Sequence, residues 1–336
     1  MTSKERVRRA IHFQGPDKLP VFLGDGLPND ISWLWPDYSS LGTPWHIVRE
    51  NADANLCVWE MTDAWGTTMR RFGPDGNGEA VGLPLENEAD WSTYRFPDLI
   101  DAKLYTRDLN KAANAPDTYR LGVLSGGGSL FETAHKLRGL HNLLTDFYEN
   151  PEFVADLLDR LVENECRAID LLAELGCDGV MGYDDWGLQD RPMIGINMWN
   201  EWFRPRYKKC FDHAHAKGLD VWMHSCGYTL PMLKGWSEIG LNVAQLDQQQ
   251  NMGLETLDHE LGGKLAFWCP VDIQNEMIVG TPESVRAYVQ RMMSTVGSHN
   301  GGLVGMSYSA PDVICHSREN LAAMFDEFRN RCQYIK

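Results

Sequence analysis

The sequence predicts an α/β protein whose strands close into a (β/α)8 TIM barrel. Three observations predict it. Short apolar runs alternate with long helical patterns along all 336 residues. Eight such runs can be counted, and strand–helix alternation on this scale implies a parallel sheet with helices outside. The runs end in polar and thiol side chains, where barrels of this kind carry their chemistry.

The runs fall at residues 18–23, 55–60, 120–124, 178–183, 220–224, 242–246, 264–268 and 302–306. Between them, residues 151–175, 198–217 and 282–296 show apolar side chains at helical spacing, and 319–331 reads as a closing helix. Pro151 stands near a helix start, and Thr281-Pro282-Glu283-Ser284 is a Thr cap followed by Pro at the first helical position. No interdomain linker stands out, so residues 1–336 read as a single domain. The stretch 66–106, rich in Gly, Pro and polar residues, reads as an insertion over the barrel mouth.

Composition excludes several classes. The formal net charge is -16 with no Lys/Arg run, whereas nucleic-acid binding needs a basic footprint. The first ten residues carry basic side chains but no apolar run behind them, so no signal peptide is expected. No stretch approaches the roughly 20 apolar residues that span a bilayer. Eight cysteines are scattered widely, unlike a secreted disulfide framework. Reduced thiols in a cytoplasmic protein fit better, and these remain free for metals. Cys166 and Cys177 read as small core residues.

The strand ends supply Asp25, Glu60, Glu132, Asp184-Asp185, His224-Ser225-Cys226, Asp247-Gln248, Cys269 and Tyr308. Side chains alternate along a strand, so His224 and Cys226 can face the same side. Imidazole with thiolate suits zinc, and a catalytic zinc keeps one position open. The competing reading is a buried, hydrogen-bonded His beside a core thiol. Cys269 is the favoured third ligand; Cys315, Glu132, Asp184 or Asp185 are alternatives. Asp184 and Asp185 are candidate catalytic carboxylates that could transfer protons, bind substrate or orient His224; capping a helix is the structural alternative. Trp186 and Tyr308 are expected to wall an apolar pocket, with Asp25 and Gln248 as polar substrate contacts. Most other Trp residues, with His213 and His215, read as packing or surface. Ser125-Gly126-Gly127-Gly128-Ser129 lacks the Lys of a phosphate loop and reads as a close-packed loop at the mouth. No GxSxG motif is present.

Several stretches together resemble the uroporphyrinogen decarboxylase superfamily. They are Ser3-Lys4-Glu5-Arg6-Val7 with Gly15-Pro16-Asp17-Lys18-Leu19-Pro20-Val21; Leu130-Phe131-Glu132 with Leu137-Arg138-Gly139; and Tyr183-Asp184-Asp185-Trp186-Gly187 with Arg204-Pro205-Arg206-Tyr207 and His224-Ser225-Cys226-Gly227. Gly280-Thr281-Pro282-Glu283 and Arg318-Glu319-Asn320-Leu321 complete the pattern. The resemblance covers nearly the whole chain and implies the barrel. One branch of the superfamily decarboxylates uroporphyrinogen without a metal. The other contains corrinoid-linked methyltransferases, in which zinc is typical and a His-x-Cys pair is among its ligands.

Two features favour the second branch. The segment 23–30 has no Arg, where the decarboxylases hold their substrate's carboxylates with an Arg-rich segment, and His224-x-Cys226 matches the zinc pattern. One feature departs from it: the coenzyme M enzymes place a Cys near the end of the last strand, and here that stretch reads Ser307-Tyr308-Ser309-Ala310-Pro311. The resemblance therefore implies a zinc-dependent methyltransferase. It would move a methyl group between a small methylated donor, with a methoxylated aromatic favoured, and the cobalt of a corrinoid carried by a partner protein. The alternatives are a metal-free decarboxylase of a smaller acid, a methylcobamide:thiol methyltransferase, and a barrel that only binds a ligand.

Overall fold

The computed structural model describes residues 1–24, 26–75, 78–124 and 129–334. In chain order its strands are β1 (Val21–Phe22), β2 (Ile31–Leu34), β3 (Thr43–Arg49), β4 (Val58–Thr62), β5 (Thr68–Phe72), β6 (Glu79–Gly82), β7 (Tyr119–Val123), β8 (Gly179–Tyr183), β9 (Asp220–His224), β10 (Val243–Gln245), β11 (Ala266–Cys269) and β12 (Leu303–Met306). Eight of them form one parallel sheet in the order β1-β12-β11-β10-β9-β8-β7-β2. Helices surround this sheet, which makes it a (β/α)8 barrel as the alternation predicts.

No ladder joins β1 to β2 among the described residues. Asp30 closes the seam instead. Its N–H donates to the Val21 carbonyl at 2.8 Å, and its carboxylate accepts from the Val21 N–H at 2.9 Å. Arg6 holds the same carboxylate at 2.6 Å. The Phe22 and Trp33 rings meet edge-on across the gap, 5.4 Å apart.

The second barrel strand is therefore 31–34, not the expected 55–60. The run 55–60 falls in β4, the second strand of an antiparallel sheet ordered β3-β4-β5-β6. A short apolar run does not reveal its partner, and the true second strand is only four residues long. The stretch expected as a loop-rich cover, 66–106, contains β5, β6 and several short turns. It leans on the outer helices: Thr67 Oγ1 donates to the Lys136 carbonyl at 3.1 Å, and the Trp91 indole to Asp156 at 2.7 Å. Trp65, Leu85 and Leu99 join the same buried core as the barrel helices.

Strand alternation sorts the barrel side chains into two sets. Ile31, Tyr119, Leu121, Met181, Trp222, Val243, Ala266, Trp268, Val304 and Met306 fill the interior. Val180, Val221, Met223, Ala244, Phe267, Cys269 and Leu303 face the helices. The long helix Pro151–Glu174 returns the packing, burying Val154, Leu157, Leu158, Leu161, Val162, Ala168, Ile169 and Leu172 along one stripe. At Thr281 the expected cap is a full capping box with Ser284.

Candidate metal centre

The same alternation, carried past the strand ends, builds the site. On β8, Met181 and Tyr183 point inward, so Asp185 does too and Asp184 does not. On β9, Trp222 points inward, followed by His224 and Cys226. On β10, Val243 is followed by Gln245 and Asp247. Register then aligns them: Tyr183 and Gln245 are the two cross-strand partners of His224.

Asp185, His224 and Cys226 converge so that their donor atoms all lie within 4.8 Å of one another. His224 Nε2 is 3.3 Å from Asp185 Oδ1 and 3.3 Å from Cys226 Sγ. The Cys226 N–H donates to Asp185 at 2.8 Å. Glycine makes this closeness feasible. Gly187 and Gly227 sit where their loops cross, with Tyr228 N bonded to the Leu188 carbonyl at 2.7 Å. A Cβ at Gly227, whose φ is +76°, would fall 2.3 Å from the Gly187 carbonyl oxygen.

Electrostatics in the cluster are mutual. Burial alone would lower the His224 pKa, but Asp185 and Cys226 outweigh it and hold the imidazole well above its usual value. Burial likewise works to raise Asp185, and the hydrogen bond and charge of His224 leave it below the ordinary carboxylate range. Burial pushes the Cys226 thiol up, opposed by His224. Asp247, buried nearby, is raised by desolvation.

The donor set fits zinc. It supplies nitrogen, sulfur and oxygen from three side chains, the number a catalytic site uses. Zinc bonds of about 2.1–2.3 Å in a tetrahedron place ligand atoms about 3.4–3.8 Å apart, close to the 3.3 Å that separates His224 Nε2 from both Asp185 Oδ1 and Cys226 Sγ. Among the described residues this is the one grouping of His, Cys, Asp and Glu able to hold a metal ion.

The cluster opens onto a cavity of about 860 Å³ at the C-terminal end of the barrel. Phe22, Trp33, Trp35, Tyr183 and Tyr308 give it aromatic walls. Its charged lining is Asp185, Asp247 and Asp312 against Arg318. None of the described residues between 43 and 106 lines it.

A family comparison matches residues 61–330 to the uroporphyrinogen decarboxylase (URO-D) model. The chain belongs to the uroporphyrinogen decarboxylase family. Uroporphyrinogen decarboxylases of Neisseria meningitidis and Neisseria gonorrhoeae are each 21% identical over 266 residues, covering 75% of this chain and 70% of theirs. A solved methyltransferase from Methanosarcina mazei superposes with a TM-score of 0.67 at 13% identity, over 97% of this chain and 98% of that one. That likeness extends to the whole barrel fold.

Within this family member, several expected site residues lie elsewhere. Asp184 is fully buried beneath the cavity floor. It accepts from the Leu130 and Glu132 N–H groups at 3.0 and 2.7 Å and from Tyr207 at 2.5 Å. It thus anchors the start of the helix Leu130–Arg138. Cys269 is not a partner of His224, because Trp268 takes the inward position on β11 and turns Cys269 towards the helices. Glu132 pairs with His135 at 3.1 Å on its own helix, and Cys315 is exposed. Trp186 is buried, stacked on Phe131 at 4.2 Å, and Gln248 accepts from the Gly227 N–H at 2.8 Å; neither lines the cavity. Glu60 pairs with Arg70 at 2.7 Å on the antiparallel sheet. Tyr308 does line the cavity. Asp25 and residues 125–128 lie outside the described residues. The residues missed are Gln245, Trp33 and Trp35. Counting by two from Val243 would have found Gln245 and preferred Asp247 to Gln248.

Proposed function

We propose that this protein is a zinc-dependent methyltransferase, with Asp185, His224 and Cys226 as the metal ligands. The observation that carries this reading is the nitrogen, sulfur and oxygen donor set at the floor of an aromatic-walled cavity. The methyl donor is a methoxylated aromatic. The acceptor substrate is the cobalt of a corrinoid on a separate protein. When bound, zinc supplies Lewis acidity that stabilises the phenolate left when the methyl group departs.

The chain's own residues supply position. Trp33, Trp35, Tyr183 and Tyr308 sandwich the ring and exclude water from its faces. Cys226 must lose its proton, and His224 must be neutral, to bind metal. The family's decarboxylase activity is the rival. Against it, three carboxylates and a single Arg among the described lining residues make a poor cradle for a polycarboxylate. Eight free cysteines suit a reducing cytoplasm, and no helix among the described residues is long and apolar enough to cross a membrane.

Two measurements test the proposal. Purified protein should carry about one zinc per chain, and the His224→Ala variant should carry none; full occupancy in that variant removes the ligand assignment. Cob(I)alamin with a panel of methoxyaromatics should give methylcobalamin by absorbance. No turnover with any donor, together with release of carbon dioxide from an aromatic or pyrrolic acid, would hand the case to the decarboxylase.

A further inference from the structure

Gln245 was not among the residues the sequence singled out, yet it is hydrogen-bonded to the His224 ring nitrogen other than the one facing Asp185 and Cys226. It is buried, at 4% exposure, on the strand next to His224 and directly across from it. Its Oε1 is hydrogen-bonded to His224 Nδ1. Its Nε2 faces Asp247 Oδ1 at 2.8 Å and Met306 Sδ at 3.1 Å.

The chemistry of these partners fixes the direction of every bond. An amide nitrogen only donates and an amide oxygen only accepts. A thioether sulfur has no proton to give. Turning the amide over would set its oxygen against the Met306 sulfur and the Asp247 carboxylate, acceptor against acceptor, in a buried site where an unmade hydrogen bond costs about 1–3 kcal/mol. The amide therefore keeps its oxygen on His224. An acceptor at that place requires a proton on Nδ1. In the neutral imidazole the lone pair is then on Nε2, the atom that faces Asp185 and Cys226.

We infer that Gln245, oriented by Met306 and Asp247, positions His224 for metal binding by holding the proton on Nδ1 and leaving Nε2 as the donor. This rests on Asp185, His224 and Cys226 being metal ligands. It adds a residue on which the affinity of that site depends through its hydrogen bond to His224, without being a ligand itself. Partners of this kind are worth ten- to hundredfold in metal affinity.

The test uses zinc alone as the probe, with no methyl donor or corrinoid. Zinc dissociation constants are measured by chelator competition for the wild type, Gln245→Leu and Gln245→Glu, each checked for folding by thermal melting. Leucine removes the acceptor. Glutamate keeps one in either protonation state. Gln245→Leu should bind zinc about ten- to hundredfold more weakly, and Gln245→Glu should recover most of the loss. Long-range ¹H–¹⁵N spectra of the zinc-loaded, ¹⁵N-His-labelled wild type should show His224 bound through Nε2 with a proton on Nδ1. Coordination through Nδ1, or a folded Gln245→Leu that binds zinc as tightly as wild type, overturns the inference while leaving the metal site intact. A wild type that binds no zinc overturns the metal site and this inference together.

Discussion

Asp184 and Asp185 are adjacent and identical in residue type, yet burial raises the Asp184 pKa to about 8 while Asp185 is left below the ordinary carboxylate range. The strand pleat sends one carboxylate under the floor and the other into the cavity. Asp184 satisfies two backbone N–H groups and Tyr207, so truncating it leaves buried donors unpaired. Asp184→Ala should cost about 3 kcal/mol or more, read as a lowered denaturation midpoint. Compared as metal-free proteins, Asp185→Ala should change the midpoint far less than Asp184→Ala, and it should weaken zinc binding. A stable Asp184→Ala with impaired zinc binding would mean the two roles are reversed. Glu165 offers a pH prediction. Desolvation raises its pKa to about 7, above its unfolded value, so the folded state binds the extra proton. Its contribution is complete below the unfolded pKa near 4.3 and is lost as pH rises towards 7. The loss is on the order of 3 kcal/mol. Glu165→Gln should therefore melt higher than wild type at pH 8 and close to it at pH 5. Equal melting temperatures at both pH values would refute this.

At the scale of elements, the barrel's weak point is the seam between β1 and β2, which has no ladder among the described residues and is bridged by the side chains of Asp30 and Asn29. Asp30 accepts from Val21, Arg6 and Ser3 together. Breaking a buried pair by removing one partner costs about 3–5 kcal/mol, so Asp30→Ala should lower the unfolding free energy by that amount, read from urea denaturation as a lower midpoint. The strand positions show what the sequence made legible. Seven of the eight expected runs, all but 55–60, overlap barrel strands; six of them couple an apolar run to a following helix, and only 18–23 leads straight into another strand. Ile31–Leu34 escaped notice because it is short and is preceded by a loop instead of a helix. The run 55–60 was misplaced because an apolar strand looks alike whether its partner is parallel or antiparallel.

For the whole molecule, a ligand that binds only the folded state stabilises it by mass action. Zinc removal by a chelator should lower the melting temperature of the wild type by several degrees and leave His224→Ala unmoved. An identical drop in both proteins would place the zinc elsewhere. The cavity sits at the barrel's C-terminal end, as the architecture requires. Segments flanking the strands of the antiparallel sheet β3–β6 contact the outer helices through Thr67 and Trp91, and none of the described residues 43–106 lines the cavity, which is left to the strand ends, the loops after them and the helix Arg318–Asp326.

The sequence by itself determined the barrel, the end of it that carries chemistry, and the His224–Cys226 pair. Periodicity and i, i+2 spacing are local properties, and they survive without knowledge of the partners. Only the tertiary structure brought a third donor group, the Asp185 carboxylate, to the pair. Residue type and strand-end position favoured Cys269, with Cys315, Glu132, Asp184 and Asp185 as alternatives. Register across β8, β9 and β10 brings Asp185 and Gln245 to His224 and turns Asp184 and Cys269 away. Which side chains meet depends on the phase of each strand against its neighbours, and that phase is set by packing across the whole sheet.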